Sequence, residues 1–418
     1  MGVVDRVLWI EQVDPPAVDD GPPARDADVV VVGAGYAGLS AARVLATAGR
    51  SVTVLEKERL GWGAHARNGG MVIPELKSGP RTLRTRYGEL GERMYREVND
   101  AFDHVEALAT GEIDCDYERT GQLHLAHAAR LVPHLRDLAA EHAGEGEDVV
   151  FVDRDELAGE IGSTAFHGAI RYARTGGLHP ARFHAGLARL ARAAGARIHD
   201  RCAATRLERE GAGFRVITQQ GAIRAQDVVV ATNAYADGLL PELRRRVLPI
   251  SSFIVTTEPL DAATLDAISP RRRMFVDTKN FLFYWRTTPD GRVLFGGRRS
   301  LDDVPLDAAR AFLVASLRRI HPQLAGRAVT HQWSGHVAIT LDRLPHAGRI
   351  RGAWYATGCN GSGVATNTWL GHRIGQAILG EAPPPAVAEL HHRAIPAHGL
   401  RRTWLPAVGS WFRWQDRS

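Results

Sequence analysis

The chain has 418 residues, 44% of them hydrophobic and 24% charged, with a formal net charge of +5. That length is too great for one simple core and points to two domains, at a soft rule of about 150 residues each; the small net charge, with basic runs only at Arg244-Arg245-Arg246, Arg271-Arg272-Arg273 and Arg401-Arg402, argues against a nucleic-acid partner. Cys115, Cys202 and Cys359 are too scattered for a disulfide framework or a metal site, and neither a membrane span of ~18 apolar residues nor a signal peptide is seen, so a cytoplasmic enzyme is expected.

Residues 1–27, with Pro15, Pro16, Pro22 and Pro23, read as an irregular arm. Val29-Val30-Val31-Val32 then suits a strand buried on both faces of a parallel sheet. A glycine turn follows, then a helix over 37–48 that stops at Gly49, then a second buried strand, Val52–Leu55. Residues 83–143 look mostly helical. Residues 184–194 read as an amphipathic helix, with strands expected at 214–218 and 228–231. Residues 250–257, 281–287 and 293–297 resemble strands of an antiparallel sheet. A last helix over 364–379 ends at Gly380, before the Pro383–Pro385 stop.

The strongest local signal is Gly33-Ala34-Gly35-Tyr36-Ala37-Gly38, directly after a strand and opening a helix. Gly33 permits a tight turn, Gly35 lets a pyrophosphate approach the backbone, and Gly38 lets helix and strand pack closely. The helix N-terminus offers free N–H groups to phosphates. Glu56 closes the second strand, where a carboxylate can hold both ribose hydroxyls of an adenosine and repel a 2′-phosphate; Lys57 follows it. Two further glycine-rich loops favour FAD over NAD. One is Gly61-Trp62-Gly63-Ala64-His65-Ala66-Arg67-Asn68-Gly69-Gly70. The other, Gly358-Cys359-Asn360-Gly361-Ser362-Gly363, opens a helix whose dipole suits negative charge on a flavin edge.

These blocks, with Leu178-His179-Pro180, Leu294-Phe295-Gly296-Gly297-Arg298 and Asp342-Arg343-Leu344-Pro345, resemble the D-amino-acid oxidase-like FAD-dependent oxidoreductases, and most closely their γ-glutamylputrescine oxidoreductase branch. The resemblance runs over nearly the whole chain. It implies an α/β fold: a discontinuous Rossmann-like FAD-binding domain (28–82, 150–246 and 331–385) and an antiparallel-sheet substrate or cap domain (83–149 and 247–330), with 386–418 as a tail. It further implies that Ala64–Met71 and the loop from Gly358 through Asn360, Gly361 and Gly363 to Val364 line the flavin. Ala204 would meet the adenine, and Ala231-Thr232-Asn233 would pass near the cofactor. Family members oxidise a C–N bond by hydride transfer to flavin N5, leaving an imine that hydrolyses, and dioxygen commonly reoxidises the flavin. An amine or amino-acid-like molecule is the expected substrate. The alternatives are a dehydrogenase that passes electrons to a quinone or protein, and a flavin-binding protein with little turnover of its own.

Two positions depart from that branch. His65 stands where a small polar residue is usual, and Cys359, Asn360 and Ser362 replace an aromatic-Ser-Gly-His arrangement. His65 could tether the flavin covalently, make a polar contact in the site, or simply pack; Cys359 could be a tether or a small loop residue. Tyr284 and Arg286 alternate along one strand and so share a face, where Arg286 could hold a carboxylate and Tyr284 orient the amine, or they could be a surface arginine beside a sheet aromatic. Trp333 and His336, before the Asp-Arg-Leu-Pro block, could approach the flavin ring or be core residues. The tail at 404–414 alternates aromatics with arginines, as a segment that docks on the body, on a second copy in a homo-oligomer, or on a membrane surface.

Overall fold

The computed structural model describes residues 3–301 and 304–417. Two eight-stranded sheets organise it. The first runs in the order His346–Ile350, Ala353–Thr357, Gly221–Val230, Asp26–Val32, Val52–Leu55 and Arg197–His199, and Gly213–Thr218 and Ala204–Glu210 extend the long strand antiparallel. The strands around Asp26–Val32 are parallel, with Val31 level with Val54 on one side and Val229 on the other. The valine run is buried on both faces because its side chains alternate between two cores. Val29 and Val31 join one cluster, and Val30 and Val32 join another. Helices Tyr36–Thr47, Pro180–Ala193 and Gly363–Leu379 cover the first face.

The second sheet runs Val329–Ile339, Leu248–Thr257, Val293–Gly297, Phe283–Thr287, Met274–Asp277, Gln122–Leu125, Ala169–Tyr172 and Val149–Val152. All its pairings are antiparallel except that of Met274–Asp277 with Gln122–Leu125. One face packs Phe275, Trp285 and Phe295 under the helix Leu306–Ile320. The other face, carrying Ile254, Leu294, Trp333 and Tyr284, meets Ala66 and Trp9.

The division of the chain differs from the expected one in three places. The helix Glu89–Gly111, expected with the substrate domain, buries Met94, Phe102 and Val105 in the core of the first sheet. Strands Val149–Val152, Ala169–Tyr172 and Val329–Ile339, expected beside the FAD-binding sheet, pair in the second sheet instead. The expected helical stretch 83–143 is also interrupted by the strand Gln122–Leu125. An apolar stripe states that a helix or strand must be covered, not which sheet covers it. The N-terminal arm is also more built-in than expected: Val4 N–H donates to the Thr330 carbonyl at 2.9 Å, and Trp9 is buried.

Candidate active site

A cavity of about 710 Å³ runs between the two sheets, within the size range of cofactor and ligand sites. At one end lies the glycine turn. Gly33 takes φ +100°, and a Cβ there would stand 2.8 Å from the Ala231 carbonyl oxygen. A Cβ at Gly38 would stand 1.9 Å from the Gly33 oxygen, so this helix can approach its strand only as glycine. Gly35 is the helix N-cap and faces open cavity, with only the His65 ring within 4 Å of where its Cβ would be. The backbone thus leaves a cradle that no protein side chain fills. Glu56 lines the same end, with Lys57 beside it, and accepts N–H bonds from Ala34 and Glu58, each at 3.0 Å. Burial raises its carboxyl above the usual range, against those bonds. Ala37, Ala204, Ala231, Thr232 and Asn233 complete this wall, whereas Ala34 and Gly38 shape the turn from behind.

The middle of the cavity is a polypeptide staple. Asn68 donates to the carbonyls of Ala64 (3.1 Å) and His65 (2.9 Å) and accepts from the Gly70 N–H (2.8 Å), which locks the loop 64–70. Trp9 donates to the Asn68 carbonyl (3.0 Å) and Trp333 to the Arg67 carbonyl (2.8 Å). Gly63, Ala64, His65, Arg67, Asn68, Gly69 and Met71 line the cavity; Gly70 does not. His65 stacks on His184 with ring centroids 3.9 Å apart, beside Gly35 and Gly63. Burial, then the neighbouring His184 and Arg67, push it well below the ordinary histidine value, so it is neutral. It stands at the glycine turn, not among the second-sheet candidates.

Across from this loop, Asn233 accepts the Gly358 N–H at 3.1 Å, and Asn360 ties Gly358 to Thr340, accepting from the Thr340 N–H at 3.1 Å. Gly361, Gly363 and Val364 line the cavity with Cys359 and Asn360, while Gly358 stays behind. Ser362 donates to Glu75 at 2.8 Å. Burial alone would raise Glu75, but the charge and hydrogen bond of Lys77 and the Ser362 bond outweigh it and hold it low.

The second sheet supplies the last wall. Tyr284 and His336 line it, and the Tyr284 hydroxyl bonds Ser252 at 3.2 Å. Arg286 does not line the cavity, which corrects the expectation for it. Its guanidinium is buried and donates to the carbonyls of Gly69 (2.8 Å) and Leu178 (2.6 Å). Tyr284 and Arg286 share a face, but the loop 69–70 covers one end of that face and encloses the arginine. Trp333, 2% exposed, is a core residue. Sequence reasoning missed Arg298 and Arg343, both on the wall. A signal existed for Arg298: it follows Leu294 and Gly296 at strand period on the Tyr284 face.

Fold and site together define an oxidoreductase-type architecture, in which a dinucleotide turn on one sheet is roofed by a second. The family model described as FAD dependent oxidoreductase (DAO) matches residues 28–377. A probable oxidoreductase OrdL from Rhizobium meliloti is 32% identical over 98% of this chain and 97% of its own length. The γ-glutamylputrescine oxidoreductase of Escherichia coli is 31% identical over 93% of each chain. Among solved structures, glycine oxidase from Geobacillus kaustophilus superposes with a TM-score of 0.75 at 21% identity, over 88% of this chain and all of that one. The chain belongs to the FAD dependent oxidoreductase family, and FAD is its cofactor.

Proposed function

We propose that this enzyme oxidises the C–N bond of an amine or amino-acid-like substrate, with dioxygen as the final electron acceptor. The observation that carries the reading is the continuity of one cavity from Glu56 and Gly35, past the loop 64–71, to Tyr284 and His336 on the opposite sheet. Bound FAD would supply the two-electron acceptor for hydride from the carbon beside a neutral amine nitrogen, and the imine so formed would hydrolyse in water.

The residues have separate tasks. Glu56 would hold the adenosine ribose, and the amides after Gly35 would meet the diphosphate. Ala204 and Ala231–Asn233 flank the nucleotide. The lining residues of the loops 64–71 and 358–364 would hold the flavin ring, and the N-terminus of the helix Gly363–Leu379, which lines the same cavity, would offer it positive potential. Tyr284 and His336 position the substrate and exclude water. The names of the relatives, a γ-glutamylputrescine oxidoreductase and a glycine oxidase, accord with a C–N bond as the target. Anaerobic mixing of the purified protein with a panel of primary and secondary amines tests this. Bleaching of the flavin band by some members supports the reading, and a flavin unchanged by every amine refutes it. Hydrogen peroxide release in air then separates an oxidase from a dehydrogenase serving another acceptor.

A further inference from the structure

We propose that the C-terminal helix Arg401–Gln415 is a membrane-surface anchor, which lays Trp404, Trp411 and Trp414 into the headgroup boundary of an anionic bilayer and sets its arginines against the lipid phosphates. The inference is independent of the amine-oxidising reading.

The body takes one side of this helix only. Leu405 and Gly409 are buried, and Phe412 meets Phe281 edge-on with ring centroids 6.1 Å apart. Just past the helix, Asp416 accepts the N–H groups of Asn280 (2.7 Å) and Phe281 (3.0 Å), and Arg130 donates to the Gln415 carbonyl (2.8 Å). Leu405, Gly409, Phe412 and Asp416 recur at helical spacing and mark the inward face. Trp404, Ala407, Trp411 and Trp414 fall at helical spacing on another side. Trp404 is half-buried, its ring N–H donating to the Ala397 carbonyl at 3.2 Å. Trp411 and Trp414 are 54% and 59% exposed, with ring centroids 5.0 Å apart, and Leu400, just ahead of the helix, is 64% exposed. Six large hydrophobic side chains stand exposed among the described residues, and these are three of them, gathered on one short segment.

Charge selects the occupant. Residues 400–417 carry Arg401, Arg402, Arg413 and Arg417 against one acid, Asp416, which already accepts the two backbone N–H groups. Among the described residues no ion pair ties any of the four arginines, and Arg413 donates to the neutral Ser410 hydroxyl at 2.8 Å. Arg401 and Arg402 also open the helix, where its dipole disfavours a cation, so they do not serve the helix itself. A second copy docked on the same patch about a twofold axis would set this cationic face against itself. An anionic lipid surface meets both features at once. Indoles lie at the headgroup boundary, and arginine stems follow apolar surface while their heads reach the phosphates. The helix is also fixed to the loop 278–282, of which Thr278, Lys279, Asn280 and Leu282 line the cavity. Attachment would therefore bring the second-sheet wall of the cavity beside the bilayer.

Flotation of the full-length, FAD-loaded protein with lipid vesicles tests the proposal. Vesicles of phosphatidylglycerol and phosphatidylcholine in equal parts are expected to bind it at least about tenfold more tightly than phosphatidylcholine alone, and added salt to weaken that binding. Trp411→Ser together with Trp414→Ser should weaken binding by about tenfold or more. Arg402→Gln together with Arg417→Gln should weaken it by about tenfold on the anionic vesicles only. Both arginines are exposed, so this second pair carries the test if the tryptophan pair fails to retain FAD. No flotation with the anionic vesicles, equal affinity for the two compositions, or variants that bind like the parent protein overturn the proposal. Light scattering without vesicles supplies the last arm. A dimer that the tryptophan substitutions dissolve means that a second copy covers the stripe, and overturns the proposal; an oligomeric state that they leave unchanged supports it.

Discussion

Replacing Arg286 by methionine is expected to damage stability and FAD retention rather than substrate choice. Methionine keeps most of the side-chain volume, so the change removes chiefly the two donors and the charge. The carbonyls of Gly69 and Leu178, now bonded at 2.8 and 2.6 Å, would then be left in the protein interior. Each orphaned acceptor costs about 1–3 kcal/mol, and release of a desolvated guanidinium returns part of that, so a net loss of about 3 kcal/mol follows. At about 2.1 cal/mol/K per residue, a chain of 418 residues unfolding as one unit has a melting entropy of about 0.9 kcal/mol/K, so Tm falls by about 3 °C. The loop 68–70 loosens with it, and FAD dissociates more readily. Differential scanning fluorimetry by flavin emission reads both effects. A variant with unchanged Tm and FAD affinity but a selectively raised KM for acidic substrates would refute the reasoning and return Arg286 to the substrate site.

Glu56→Ala removes the acceptor for the Ala34 and Glu58 N–H groups as well as the proposed ribose contact, and should weaken FAD by about tenfold to a hundredfold. Titration of apoprotein with FAD by fluorescence measures this, and an unchanged Kd contradicts it. Gly38→Ala drives a methyl group to 1.9 Å from the Gly33 oxygen; it should cost about 3 kcal/mol and yield protein with a low ratio of flavin to protein absorbance. Acid should destabilise the fold early. Burial holds His124, His184 and His321 at about 4, and burial with His346 and Arg246 holds His392 at about 3. Because these folded values lie below the unfolded one of about 6.5, the stability they contribute is complete above that pH and is lost as pH falls toward 4. Urea midpoints at a series of pH values between these limits would show the decline; a flat profile contradicts it.

Much of this protein is readable in its sequence where the physics is local. The turn at Gly33–Gly38 announces itself because the constraints on each glycine come from residues nearby in the chain or in the adjacent strand. Glu56 follows for the same reason, as the end of a strand that pairs in parallel with Val29–Val32. The valine run, the helix from Tyr36 and the left-handed stop at Gly380 need only periodicity and backbone preference. Membership of the FAD dependent oxidoreductase family rests on such blocks.

What the tertiary structure alone decided is the fate of side chains whose environment is built from distant segments. Sequence alternation put Tyr284 and Arg286 on one face, and that is correct. Whether the arginine meets ligand or protein depended on Gly69 and Leu178, 217 and 108 positions away. The same physics put Arg298 on the cavity wall and sent the helix Glu89–Gly111 to the first sheet. Short-range patterns specify which surfaces must be buried and where the backbone must turn; only the packed chain determines what buries them.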